Sequence, residues 1–234
     1  MEKTEPINES RWNKTYFDEV FKKEDPWMYF SSDYEQKKYI RQLSLLVDRK
    51  PTPNRILEIG CAEAAQTRMI IQAFPEAEVV AVDISSNAIR RAKENLKSNN
   101  VTFLDADILE CIANIDDKYF DIIIWSESLY YVGDRLSTRD IFELFEKITN
   151  KLNNAGILCM ANIINQQNGP EYFITKEAIM NSYFSLLASL MENIHKSRFV
   201  EQKKSSGNYH EYQIWLFERN SGDDENGNGL KCRD

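Results

Sequence analysis

The chain has 234 residues, 42% of them hydrophobic, and carries 29 Lys and Arg against 37 Asp and Glu, for a formal charge of −8. That length suits one large domain with short additions, and the acidic balance argues against a nucleic-acid partner, which needs a basic footprint to displace counterions. Only 8 Gly and 6 Pro exclude collagen-like and low-complexity chains, and four dispersed Cys with two His argue against a disulfide framework or a structural metal site.

The first fifty residues are polar and aromatic, and their pattern predicts helices over about 9–22 and 34–49. Met1-Glu2-Lys3-Thr4-Glu5 has no apolar run behind it, so no secretory signal is expected. No apolar run approaches ~18 residues, so no membrane span is expected either, and the expectation is a soluble, cytoplasmic chain. Pro51 and Pro53 mark the passage to a different pattern.

From there strands and helices alternate. Strands are expected at 55–59, 78–82, 101–104 and 120–125, with helices over about 66–73 and 86–97 between them. The fourth strand is apolar on both faces and reads as central. Ile141, Leu144, Phe145, Ile148 and Leu152 then mark one face of a helix, which Asn153-Asn154-Ala155-Gly156 should end. A fifth strand at 157–164, a helix at 175–191 and two late strands at 195–203 and 209–218 follow, the last two around the hairpin signal Ser205-Ser206-Gly207-Asn208. Residues 220–234 hold almost nothing apolar and read as a disordered tail. The alternation predicts an α/β, doubly wound, mostly parallel sheet, with one antiparallel strand contributed by the final hairpin.

In such sheets the ligand lies over the carboxyl ends of the strands, at the first strand-to-helix turn. Here that turn runs Glu58-Ile59-Gly60-Cys61-Ala62-Glu63-Ala64-Ala65. It lacks the GxGxxG needed to bring backbone amides against a pyrophosphate, and the chain has no GxxxxGK[ST] loop. A nucleoside without phosphates needs less: one glycine for the bend and an acidic residue one strand later for the ribose diol. Gly60 and Asp83 supply these, at close to the ~20-residue spacing of such pairs. Asp107, after the third strand, is placed to meet an adenine amino group. Both carboxylates also read as strand-end turn or cap residues, and Glu58 reads as fixing the turn through backbone amides.

At this point the chain resembles class I S-adenosylmethionine-dependent methyltransferases. The acidic-x-Gly turn, Val82-Asp83-Ile84-Ser85, Asp105-Ala106-Asp107 and Phe120-Asp121-Ile122-Ile123-Ile124 match that family in order and spacing over about 55–165. Ala62 and Ala64 depart from its glycine-rich turn. The chain is more closely similar to the NodS-like nodulation-factor N-methyltransferases, through Asp25-Pro26-Trp27, Tyr34-Glu35-Gln36-Lys37-Lys38-Tyr39, Gly60-Cys61-Ala62 and Glu127-Ser128-Leu129-Tyr130-Tyr131. The resemblance implies a seven-stranded class I sheet over 51–219, a helical lid over 1–50, S-adenosyl-L-methionine as cofactor with S-adenosyl-L-homocysteine as product, and no metal. It also implies that Trp27, Tyr34, Lys38, Gly60, Ala62, Asp83, Ile84, Asp107, Ile108 and Ser126 surround that cofactor, with Glu58 beneath the turn. Lys38 is the candidate partner for the methionine carboxylate; its alternative is a solvated helix charge.

Family members methylate an amine, in the type case on an amino-sugar oligomer. A carboxylate at the end of the fourth strand suits an amine acceptor, because it binds the ammonium and accepts its proton. Glu127 stands there, with Tyr130 and Tyr131 offering ring faces to a cation; its alternative is a plain helix N-terminal residue. Asn162 is expected to face the same cleft. The leading expectation is an N-methyltransferase acting on a small molecule, with no nucleic-acid or membrane partner. An O-methyltransferase acting on a hydroxyl and a non-catalytic cofactor-binding module are the alternatives.

Overall fold

The computed structural model describes residues 12–166, 172–202 and 207–220. Its sheet has seven strands: β1 (Arg55–Ile59), β2 (Glu78–Asp83), β3 (Val101–Asp105), β4 (Phe120–Ser126), β5 (Leu152–Gln166), β6 (Glu192–Gln202) and β7 (Tyr209–Glu218). They lie in the order β3-β2-β1-β4-β5-β7-β6. The first five are parallel, and β7 runs antiparallel between β5 and β6. This is the doubly wound sheet with an antiparallel hairpin that the alternation predicted. The strand order reverses between β1 and β4, which opens a crevice at their carboxyl ends.

Period-two alternation in β4 divides the core. Ile122 and Ile124 face one side and meet Leu43 and Leu46 of α2 (Asp33–Arg49) and Ile70 of α3 (Ala65–Ala73). Ile123 and Trp125 face the other and meet Phe145 of α7 (Thr138–Lys151) and Met180 of α8 (Tyr172–Ala188). α4 (Ser86–Asn95) packs Ile89 beside Ala81 of β2. The first fifty residues therefore do two jobs. α2 is a layer of the sandwich, whereas α1 (Lys14–Val20) and the aromatics after it lie against Ala62 and Ala88.

Several boundaries differ from expectation. Asn153-Asn154-Ala155-Gly156 does not separate α7 from β5 but lies inside β5. Its polar groups are used there: Asn153 Nδ2 donates to Asp121 at 3.0 Å, and the Ala155 carbonyl accepts from Lys50 Nζ at 3.1 Å. Two short helices, α5 (Ile108–Cys111) and α6 (Leu129–Gly133), are too short for periodicity to register, and the sequence indicates them only through the alternative readings of Asp107 as a cap and Glu127 as a helix N-terminal residue. α1 is shorter than the expected 9–22, and its N-cap Asn13 accepts from Tyr16 N at 2.9 Å. The expected tail beyond 220, the hairpin residues Ser205-Ser206 and the helix start at 9–11 lie outside the described residues. No helix among the described residues is long and apolar enough to cross a membrane.

Candidate active site

The turn after β1 is built on left-handed backbone. Gly60 has φ +81, and its N–H donates to the Val82 carbonyl at 2.8 Å. A Cβ there would lie 2.6 Å from Ser128 Oγ, so no other residue fits without displacing the neighbouring chain. Ala62 (φ 47) and Ala64 (φ 72) hold the same left-handed conformation despite their methyl groups. The turn thus keeps a glycine-rich backbone shape with a single glycine.

Asp83 fixes this turn from β2. One carboxylate oxygen accepts from Ala62 N and the other from Ser85 N, each at 2.9 Å. Burial pushes its pKa up to about 6, and those two backbone donors oppose the shift. Glu58 is 2% exposed and accepts from the Thr67 hydroxyl at 2.6 Å. Its partner is thus a side chain of α3, where backbone amides were expected. Burial pushes Glu58 up to about 8, against the pull of that hydroxyl.

A cleft of about 680 Å³, partly open to solvent, lies over these strand ends. Gly60, Ala62, Asp83, Ile84, Asp107, Ile108, Ser126 and Glu127 line it, as does Trp27. Asp107 caps α5 by accepting from Leu109 N at 3.0 Å and forms an ion pair with Arg135. The Ser126 hydroxyl donates to Gln42 Oε1 at 2.7 Å. Over the open side lie aromatic rings from the N-terminal segment, Trp12, Phe17, Phe21 and Tyr29, facing Tyr131 of α6. Lys14 holds α1 down through Asp105 and the Ile84 carbonyl, and Asp18 accepts from Ser85 Oγ at 2.8 Å.

Glu127 directly follows β4 with φ 57, and its N–H donates to the Ala161 carbonyl at 2.8 Å. Its carboxylate accepts from Lys38 Nζ at 2.8 Å, from Ile163 N at 3.0 Å and from the Tyr130 hydroxyl at 3.5 Å. Burial opposes ionisation, but the charges of Lys38 and Lys176 and these donors hold its pKa below the usual value. Lys38 is fully buried and also meets Glu35 at 2.6 Å. It is buried and not a solvated charge, it does not line the cleft, and its ammonium faces two carboxylates. Lys176 of α8 places Nζ 3.3 Å from the centroid of the Tyr130 ring, and burial lowers its pKa to about 8.

Two other expected residues lie off the cleft. Tyr34 packs in the core, its ring 5.1 Å from that of His210 and 5.6 Å from that of Tyr212. Asn162 is fully buried, and neither amide atom has a hydrogen-bond partner. Tyr130 sits behind Tyr131, with ring centroids 4.3 Å apart. Trp12, Phe17, Tyr29, Gln66, Arg135 and Lys176 were not singled out from the sequence. The density of aromatics over 12–30 was the available signal for the first three. Among the described residues, no group of three or more His, Cys, Asp or Glu is arranged to hold a metal ion.

The sequence model of the family described as Nodulation protein S (NodS) matches residues 11–166. The chain belongs to the NodS family. A NodS relative, nodulation protein S of Bradyrhizobium diazoefficiens, is 30% identical over 128 residues, covering 54% of this chain and 56% of that protein. A malonyl-[acyl-carrier protein] O-methyltransferase of Anoxybacillus flavithermus is 43% identical over 72 residues, 31% of this chain and 27% of that protein. The matches thus span about a quarter to just over half of these relatives. The crystal structure of the N-methyltransferase NodS from Bradyrhizobium japonicum WM9, in complex with S-adenosyl-L-homocysteine, superposes with TM-score 0.70 at 17% identity, covering 88% of this chain and 97% of that one. The matched NodS segment runs from the aromatic N-terminal residues through β5 and so includes every residue named as lining the cleft.

Proposed function

We propose that the chain is an S-adenosylmethionine-dependent methyltransferase acting on an amine of a small molecule, an amino sugar or a related metabolite. The residues present fit the cofactor. Asp83 and Asp107 bring carboxylate oxygens to the cleft lining, which supports their reading as acceptors for a ribose diol and an adenine amino group, and Gly60 lets the turn pass against Ser128, where a Cβ would collide. Ile84 and Ile108 supply apolar walls, and Trp27, Ala62 and Ser126 complete the enclosure. When bound, the cofactor supplies a methyl group already activated for in-line displacement.

What remains for the protein is to place the nucleophile and exclude water. Glu127 carries the reading: it is an ionised carboxylate at the end of β4, open to the cleft and 12% exposed. An ionised carboxylate attracts and orients an amine. Its depressed pKa makes it an electrostatic anchor more than a final proton acceptor. Tyr131 presents a ring to the same space, where a cation is favoured, and the N-terminal aromatics keep water out. Tyr130 contributes through its hydrogen bond to Glu127.

The test is transfer of labelled methyl from S-adenosylmethionine to glucosamine and its β-1,4-linked oligomers. An N-methyl product turns the primary amine into a secondary one, whereas methylation of a sugar hydroxyl leaves the primary amine intact. Glu127→Gln should lower kcat/KM at least tenfold, most steeply at low pH, where the acceptor is protonated. An unchanged rate at every pH would overturn the role of Glu127.

One observation favours a second reading, O-methylation. Lys176 is buried beside Tyr130, and its charge acts on Glu127 of the cleft, where a cation suits an anionic acceptor. The relatives named malonyl-[acyl-carrier protein] O-methyltransferase agree with it. Methylation of a carboxylate would give a base-labile ester, so a parallel assay with a small dicarboxylic acid as acceptor, scored by label released in mild base, tests this reading. Failure to bind either S-adenosylmethionine or S-adenosylhomocysteine would leave only the non-catalytic reading.

A further inference from the structure

The amine reading gives no task to Lys176, a buried side chain of α8. Its Nζ stands 3.3 Å from the centroid of the Tyr130 ring, whose face favours a cation. Tyr130 lies against Tyr131, which lines the cleft. Lys176 thus stands behind the rings that border the acceptor end of the cleft.

The charged and titratable groups around it come from several elements. Glu127 follows β4, and α2 brings Lys38 and Glu35. Asp134 closes α6 and accepts from the Trp12 indole N–H at 2.8 Å. The Tyr130 hydroxyl is neutral, since burial holds its pKa well above the usual value. On α8 itself, Glu177 is engaged by Arg198 of β6 at 2.7 Å. Lys38 is a single cation against two carboxylates, so that buried trio keeps one net negative charge. A protonated Lys176 cancels this charge, and a neutral Lys176 leaves it in place. Burial lowers Lys176 to about 8, against the pull of Glu127 and Asp134 and with the help of Lys38. Both of its forms are therefore within reach at the pH where an amine acceptor reacts.

We propose that Lys176 decides the charge of the acceptor that the site takes: neutral, it leaves Glu127 to hold a cation, and protonated, it cancels that charge and favours an anion. This rests on the amine reading of Glu127 above. Lys176 is a positioning residue, acting on the acceptor through Glu127 and the two tyrosine rings. It also joins the two readings of the acceptor, since a single protonation separates them. Because linkage is reciprocal, a cation bound at Glu127 drives a proton off Lys176.

Tetramethylammonium is a suitable probe, because its charge does not change with pH and any pH dependence belongs to the protein. Its binding in the presence of S-adenosylhomocysteine can be read by isothermal titration calorimetry from about pH 6.5 to about pH 9, on either side of the Lys176 transition. For the wild-type chain, affinity should rise roughly fivefold or more across that range. Proton release should make the heat differ between buffers of different ionisation enthalpy. Lys176→Met should bind the cation at every pH as tightly as the wild-type chain does at high pH, and release no proton. Lys176→Arg keeps the charge and should bind it weakly at every pH. A merely structural role would weaken both variants alike. Equal losses in the two variants, or the wild-type pH profile retained in either, would overturn the proposal and leave the Glu127 anchor standing. Cation binding that is absent at every pH, or that survives Glu127→Gln, would overturn the anchor itself, and this proposal with it.

Discussion

Glu58 lies beneath the turn with its carboxyl pushed up to about 8 by burial, from an ordinary value of 4.5. Because the folded pKa is the higher one, stability tied to its protonated form is complete below about pH 4.5 and is lost as pH rises through about 8. At pH 7 the difference is worth roughly 3 kcal/mol. Glu58→Gln should therefore raise the melting temperature at pH 7 to 9 and leave it nearly unchanged at pH 4.5, as a thermal melt across that range would read. Equal gains at all pH values would refute the assignment. Ala64 offers a second residue-level test. It holds φ 72, a conformation that costs an L-residue roughly 1–2 kcal/mol and glycine nothing. Ala64→Gly also loosens the unfolded chain, so the net gain should be at most about 1 kcal/mol in chemical denaturation. The glycine scarcity of the turn was legible in the sequence. That its alanines nonetheless adopt glycine-like φ was not, because Asp83 imposes the shape from another strand.

α7 is stabilised by a capping box in which Ser137 Oγ accepts from Asp140 N and the Asp140 carboxylate accepts from Ser137 N. Ser137→Ala should cost about 1 kcal/mol of stability without altering cofactor affinity. α2 behaves differently, because buried charge adds to its apolar packing on the sheet. Lys38 ties Glu35 in α2 to Glu127 at the end of β4. Lys38→Met would leave two carboxylates buried without their cation, and losing one partner of such a group costs about 3–5 kcal/mol. It should also raise the pKa of Glu127, which a shift in the pH–rate profile would report. The sequence placed α2 and both motifs correctly in the chain. It could not join them, since residues 38 and 127 meet only when α2 packs on the sheet.

For the whole molecule, the sheet and the N-terminal segment differ in how they are held. The sheet has continuous apolar layers on both faces. Residues 12–30 are held by a cluster of rings and by separate polar contacts, Lys14 with Asp105 and the Ile84 carbonyl, Asp18 with Ser85 and Asn87, and Asp25 N–H with Glu63, without a continuous apolar layer beneath them. We therefore expect the amides of 12–30 to exchange faster than those of β1 and β4, and to slow when S-adenosylhomocysteine is added. Exchange over that segment unchanged by ligand would argue against its role as a cover.

The sequence by itself determined the strand–helix order, the place of the first turn and the residues at its rim, Gly60, Asp83 and Asp107. Those depend on hydrophobic periodicity and on local turn chemistry, which are written in neighbouring positions. Only the tertiary structure decided that Lys38 is spent on Glu127, that Tyr34 belongs to the core and that Lys176 lies behind Tyr130. Each of these is a matter of which distant side chain arrives to satisfy a buried charge or donor. Packing across the sheet settles that, and no local pattern in the chain records it.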